Sequence, residues 1–369
     1  MTRILLALIT LITSSVISLC AQTSPRPQDP VAPLPYLVEE VSFVNSKENI
    51  TLAGTLTLPK NEKNPPIAIL ISGSGPQNRD SEVKAFNHRP FLVLSDYLTR
   101  NGIAVLRYDD RGIAESKGNF KTATTHDFAD DAESAVAYLK TRKDVINTNQ
   151  IGLIGHSEGG IIGAIASSRN KDVAFFISLA GPGVDGKEIL LTQSRKALEL
   201  KNVSSDLIDF NEMISNGVYS IVQQEPDSLS VAKSTREFFL AKKKELPKNL
   251  MLMQMNDQVI DQQIKAVTDK WLMNFIKTDP KPYFAKVACP FLALNGSKDI
   301  QVLSELNLNT IRSALKTSTN KDVEIKELEG FNHLFQVAET GSIEEYAKID
   351  ETFSEKAMVI IKDWILKRF

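Results

Sequence analysis

The chain predicts an α/β protein, a mostly parallel sheet flanked by helices and interrupted by an inserted helical cap. Three observations carry this. Short, continuously apolar runs such as Ile67–Ile71 and residues 103–108 alternate with amphipathic stretches of helical period, as expected when both faces of a sheet are covered. Another such run, beginning at Ile151, passes through Gly155-His156-Ser157-Glu158-Gly159 directly into an apolar stretch starting at Ile161, so strand, tight turn and helix follow without a gap. The alternation then stops: residues 186–282 offer only helical patterns, and strands resume after them.

Taken in order, residues 1–21 read as a cleaved signal peptide. Arg3 supplies the positive start, residues 4–17 are apolar, and cleavage falls after Ala21. The run is short for a membrane span, and the minority reading is lipidation at Cys20, although Leu19 departs from the usual pattern before such a cysteine. Residues 22–35 carry five prolines and read as an extended tether. Residues 36–43 and 50–58 alternate as two half-buried strands around a turn at 45–49, with Leu52, Gly54, Leu56 and Leu58 inward, an antiparallel hairpin. Residues 89–100 form a helix with Pro90 in its first turn and Gly102 past its end. Residues 124–140 form another, capped by Thr124 or Thr125, with Phe128, Ala132, Ala135, Val136 and Leu139 on one face. A strand at 173–179 closes the first part of the core, 36–185.

The cap, 186–282, reads as helices over 187–201, 205–215 (ending at Gly217), 228–246 (ending at Pro247) and 257–277. Most of Met251, Met253, Met255, Trp271, Leu272 and Phe275 belong to its own core, with some methionines expected to line a pocket over Ser157. Its acidic residues Glu188, Glu199, Asp206 and Asp209 fall on solvated faces. The core resumes over 283–369 with the sheet at 290–295, in an apolar run 287–294 read as a buried strand, then a helix at 303–316, a strand at 323–328 and a closing helix at 354–367.

A net charge of −2 spread over 369 residues argues against a nucleic-acid partner. Cleavage after Ala21 leaves Cys289 as the single thiol, read as a small core residue in a buried strand. The histidines are scattered without ligand spacing, so no metal and no cofactor is expected.

The strand, G-x-S-x-G, helix order is that of a nucleophile elbow, in which a cramped turn exposes the Ser157 hydroxyl. Such an elbow needs a histidine base and an acid to orient it, in the chain order serine, acid, histidine. Of the four histidines, His333 lies in the loop after the last strand, where the base belongs. His126 opens a helix as a surface or capping residue, His156 points away from Ser157, and His88 is left as a residue that could touch substrate. Asp299, just past a strand-ending Gly296 turn, is the acid, with Asp185 as runner-up. The oxyanion hole takes one backbone N–H from Glu158, whose side chain is of lesser importance. The other comes from the glycine-rich loop after Ile71, from Ser74 first and Gly75 next. Tyr108-Asp109-Asp110-Arg111-Gly112 reads as a structural turn with Arg111 paired to a carboxylate.

The stretches around Ser72–Asp80, Arg107–Gly112, Gly155–Gly160, Leu292–Asp299 and Asn332-His333 together resemble the α/β-hydrolase superfamily. More narrowly they are similar to bacterial carboxylesterases with a helical lid, grouped with serine-aminopeptidase-like hydrolases. The resemblance covers residues 38–369 and implies an α/β-hydrolase fold with Ser157 as nucleophile, Asp299 as acid and His333 as base. It departs at Ala114, where the family has glycine. It implies a secreted or periplasmic serine esterase for small carboxylic esters. An aminopeptidase-like peptidase, an acyltransferase and a non-catalytic binding protein on the same scaffold are the alternatives.

Overall fold

The computed structural model describes residues 26–245 and 256–369. The stretch expected to be a signal peptide, Cys20 and the three methionines at 251, 253 and 255 lie outside the described residues. By compactness the chain divides into two units: Asp185–Asp279, and the chain on either side of it, up to Val184 and from Pro280 to Phe369.

The second unit contains one eight-stranded sheet in the order β1-β2-β4-β3-β5-β6-β7-β8. Strands β1 (Tyr36–Asn45) and β2 (Ile50–Pro59) form the antiparallel hairpin, and β2 also pairs antiparallel with β4 (Ala104–Tyr108). From β4 onward every pairing is parallel, through β3 (Ile67–Ile71), β5 (Ile151–His156), β6 (Phe175–Leu179), β7 (Phe291–Gly296) and β8 (Val323–Leu328). This is the α/β-hydrolase fold.

The parallel strands read as unbroken apolar runs because helices cover both faces. On one face α1 (Pro90–Arg100) and the last helix, Glu355–Leu366, bury Phe91, Leu94, Leu98, Met358, Ile361 and Trp364 against Leu70, Val105, Ile154, Ile177 and Leu294. Each such side chain contributes about 1.5–3 kcal/mol of burial. On the other, α2 (Thr125–Leu139) and α3 (Glu158–Arg169) pack together. Thr124 caps α2 by a reciprocal bond with Asp127, which settles the choice between Thr124 and Thr125.

Several expectations are corrected. β2 is buried continuously from Gly54 to Leu58, because β4 covers its second edge and α1 its face; Thr57 is satisfied there by Ser95 and Thr99. Part of the proline-rich stretch is docked, not a free tether. Gln28 takes the N–H of Phe353 and gives a bond to its carbonyl, and Asp29 pairs with Arg89. Strand β7 starts only at Phe291, so Cys289 precedes it. Burial pushes its thiol up to about 12, which keeps it protonated and inert. A further short helix, Lys281–Phe284, belongs with the sheet, the Phe284 ring centroid lying 6.4 Å from that of Phe176.

The unit Asp185–Asp279 is helical throughout its described residues: α4 (Gly186–Leu200), α5 (Ser205–Gln224), α6 (Ser228–Glu245), α7 (Asp257–Val267) and α8 (Lys270–Lys277). Its core joins Val218, Tyr219 and Val222 to Val231, Phe239, Ile260 and Ile276. Residues 257–277 are two helices where one was expected. Asp269 leaves helical geometry and accepts the N–H of Leu272, so it starts a new helix by capping it. Helix α5 runs on through Gly217, which is a contact residue and not a terminator. Glu188, Glu199, Asp206 and Asp209 are exposed.

Candidate active site

Ser157 stands between β5 and α3 with φ 55° and ψ −123°, a conformation that costs a non-glycine residue about 1–3 kcal/mol. The surroundings enforce it. The Ser157 N–H donates to Leu179 O at 2.9 Å, and the Gly160 N–H donates to Ser157 O at 2.8 Å. The turn can form only with glycines beside it. A Cβ at Gly155 would lie 2.0 Å from Gly159 O, and one at Gly159 would lie 2.2 Å from Ile71 O.

Asp299 follows the end of β7 and is 3% exposed. Its Oδ1 accepts the N–H groups of Gln301 (2.8 Å) and Val302 (2.9 Å), which orients the carboxylate. Its Oδ2 accepts Nδ1–H of His333 at 2.8 Å. That bond leaves the Nε2 lone pair of a neutral His333 available to take a proton. The His333 loop is held by Asn332, whose Oδ1 accepts the N–H groups of Leu334 and Gln336, both at 3.0 Å.

His156, the residue before Ser157, donates Nε2–H to His333 O at 2.8 Å, and the two rings lie 4.7 Å apart. Burial first, then the charge of His333, pushes the His156 pKa down to about 3, so it is a neutral donor tying the His333 loop to the elbow. The structure thus brings Ser157, Asp299 and His333 to the same end of the parallel strands, their C-terminal edge, where open α/β sheets place their ligands.

The loop after β3 lies against the elbow. A Cβ on Gly73 would sit 3.0 Å from Ser157 Cβ and 3.6 Å from Ser157 Oγ. Ser74 is the next residue, and Gly75 follows with φ 92°. Acidic side chains hold this loop. Glu158, 1% exposed, accepts Ser74 Oγ–H at 2.8 Å and Thr125 Oγ1–H at 2.7 Å. Asp110 accepts the Gln77 N–H at 2.9 Å, and Asp109 accepts the Arg79 N–H at 2.7 Å. Burial raises the Asp110 carboxyl well above its ordinary value, with the Gln77 N–H opposing and neighbouring Glu158, Asp131 and Asp109 adding to the rise.

Other expected site residues fall elsewhere. His88 cannot touch substrate: it is fully buried, its ring facing Arg26, Thr352 Oγ1 (3.0 Å), Tyr346 O (2.7 Å) and Gln336. Asp185 caps α4 through the Glu188 N–H at 3.0 Å. His126 bonds Tyr283 Oη at 2.9 Å. Arg111 grips Asp131 with two nitrogens, at 2.7 and 2.9 Å, and Glu48 with a third, as its structural reading required. Ala114 keeps a positive φ, 45°, so alanine occupies a backbone conformation that suits glycine.

Sequence reasoning missed the Gly73 contact and the loop-holding roles of Glu158, Asp109 and Asp110. The glycine-rich loop was a signal for the first. For the carboxylates only their position at strand ends was.

Fold and site together define an α/β hydrolase. A family model described as "Serine aminopeptidase, S33" matches residues 90–339, and the chain belongs to that family. It is similar to Esterase EstD of Thermotoga maritima, 24% identical over 302 residues, covering 82% of this chain and 62% of EstD. It is also similar to human dipeptidyl peptidase 8, 30% identical over 169 residues, covering 42% of this chain and 18% of the peptidase. The chain therefore spans less than two thirds of the length of these relatives. Among solved structures, the Pyrococcus furiosus esterase Pf2001 superposes with a TM-score of 0.54 at 16% identity, covering 93% of this chain and 96% of that one, a likeness of fold. Among the described residues no helix is long and apolar enough to cross a membrane.

Proposed function

We propose that the chain is a serine carboxylesterase that cleaves small carboxylic esters through an acyl-enzyme on Ser157. The observation that carries this is the buried Asp299–His333 bond of 2.8 Å, in a loop tied through His156 to a serine held at φ 55°. Ser157 Oγ attacks the ester carbonyl while His333 Nε2 takes its proton. The tetrahedral oxyanion is met by the Glu158 and Ser74 N–H groups, and His333 returns the proton to the departing alcohol. Water, deprotonated by His333, then attacks the acyl carbon and releases the acid.

The likeness to EstD supports an esterase. The family description and the likeness to dipeptidyl peptidase 8 favour a peptidase as second reading. A peptidase that recognises a free amino terminus needs an accessible anion near the nucleophile. The carboxylate nearest Ser157 in sequence, Glu158, is 1% exposed and already accepts two hydroxyl protons, which favours the ester reading. Export, with cleavage after Ala21, is proposed with it; the mature amino terminus, sequenced from protein secreted by the cell, tests that.

The test uses purified protein. A fluorophosphonate should label Ser157. Turnover of p-nitrophenyl acetate and butyrate should exceed that of long-chain esters, with aminoacyl anilides barely cleaved. Ser157→Ala and His333→Ala should each lose on the order of 10⁴- to 10⁶-fold in kcat. Asp299→Asn should also be severe, because it favours the wrong histidine tautomer. A higher kcat/KM for aminoacyl anilides than for the short esters would replace the esterase reading with the peptidase.

A further inference from the structure

The residue after the nucleophile carries a side chain with no place in the chemistry above. Glu158 opens α3 with its carboxylate buried. An anion at this point opposes the negative charge that must develop beside it, and burying one is costly unless donors surround it. The donors are specific. Thr125 Oγ1 comes from the first residue of α2, and Ser74 Oγ from the loop whose Gly73 rests against Ser157. One carboxylate therefore links the elbow helix, α2 and the β3 loop within one residue of the nucleophile.

Farther along, the same loop hangs from Asp110 through the Gln77 N–H and from Asp109 through the Arg79 N–H. These fix its distal half to the end of β4. In the proximal half, Ser74, the residue whose backbone N–H must aim at the oxyanion, is held by Glu158 at 2.8 Å and more loosely by Gln77 Nε2, which donates to its carbonyl at 3.4 Å. Gly73 and Gly75 flank Ser74, so without the shorter Glu158 bond only the long Gln77 contact opposes rotation of the Ser74 peptide.

We propose that Glu158 is a positioning residue: its carboxylate, bonded to Ser74 Oγ, sets the direction of the Ser74 N–H relative to Ser157 and so completes the oxyanion hole. This rests on the serine-hydrolase reading of the site. The Glu158 side chain acts through Ser74 and does not touch substrate, so its loss falls on kcat and leaves KM nearly unchanged.

Four variants test this: Ser74→Ala, which removes the hydroxyl and keeps the N–H; Ser74→Thr, which keeps both; Glu158→Gln; and the double Ser74→Ala/Glu158→Gln. Two readouts are taken, amide hydrogen exchange in peptides covering residues 72–80, and kcat and KM for p-nitrophenyl acetate. Ser74→Ala and Glu158→Gln should speed exchange in 72–80 and lower kcat by about 10- to 100-fold, less than the 10²- to 10³-fold for deleting an oxyanion donor. KM should stay within about twofold, and Ser74→Thr, which keeps the hydroxyl, should recover most of the kcat that Ser74→Ala loses. The double variant should be no worse than the worse single, since both break one link.

Unchanged exchange in both single variants overturns the proposal. So does faster exchange with kcat within about twofold of wild type, because the tie then exists without positioning anything. If Glu158→Gln does not fold, Ser74→Ala, a change on a partly exposed loop, decides alone. If the wild-type protein neither takes the fluorophosphonate nor cleaves the ester, the hydrolase reading fails by itself. The exchange readout then still decides whether Glu158 anchors the loop: faster exchange upholds the anchor, and unchanged exchange overturns it.

Discussion

His156, beside the nucleophile, ties the His333 loop to the elbow at a cost in acid stability. Its pKa is about 3 in the folded chain, against about 6.5 for a free histidine. The unfolded chain therefore binds the extra proton between these values. His156 costs nothing above about pH 6.5, and its penalty grows as pH falls toward 3, when the folded form must either leave the ring neutral or charge it in a buried site beside His333. At pH 5 the penalty is roughly 1–2 kcal/mol. Urea unfolding at pH 7.5 and 5.0 measures it, and His156→Gln, which keeps an N–H donor without a titrating ring, should shrink the difference between the two. An undiminished difference in that variant would assign the acid sensitivity to other groups. The Ala114 backbone teaches a similar lesson: an alanine at φ 45° is tolerated because Ser116 Oγ bonds Asp109 O and the Ala53 N–H, which holds the surrounding loop.

At the scale of elements, glycine served two roles that a pattern cannot separate. Gly217 looked like the end of a helix. It lies inside α5, and a Cβ there would sit 2.3 Å from the Phe238 ring of α6. Gly217→Ala should therefore lower the melting temperature although alanine favours helix by about 1 kcal/mol. Overpacking costs about 1–3 kcal/mol, and the clash should dominate. A raised melting temperature in that variant would mean Phe238 moves aside freely. The break between α7 and α8 was hidden for the related reason that Asp269 sits in an otherwise continuous apolar period. Only its bond to the Leu272 N–H marks it as a cap. By contrast α2 was legible to within a residue, since its apolar face recurs with helical period; the reciprocal bonds of Thr124 and Asp127 then decide for Thr124 over Thr125 as the cap.

At the scale of the molecule, the amino-terminal segment and the far carboxyl-terminal loop hold each other. Gln28 bonds the Phe353 backbone on both its polar groups, and Arg26 meets His88 and Ile349 O. Removing residues up to 35 should lower the melting temperature by several degrees while leaving the sheet intact, because hydrogen bonds of about 1 kcal/mol each are lost from one corner. An unaltered melting curve would mean the segment is carried without contributing.

The strand and helix order, the elbow and the pair Asp299 and His333 were readable from residue order alone. Apolar period and turn chemistry are properties of neighbours a few positions apart, and a strand-to-helix elbow constrains where its partners can lie. The fate of buried polar side chains was not readable. Glu158 finds Ser74 across 84 positions and His88 finds Thr352 across 264. No local pattern distinguishes a carboxylate that faces solvent from one that must be buried and bonded. That distinction is made when parallel strands bring distant loops to one edge of the sheet, where an unpaired charge is too costly to leave alone. So the chain announced its nucleophile, and only the folded packing turned the next residue into the anchor of a loop and His88 into a buried joint.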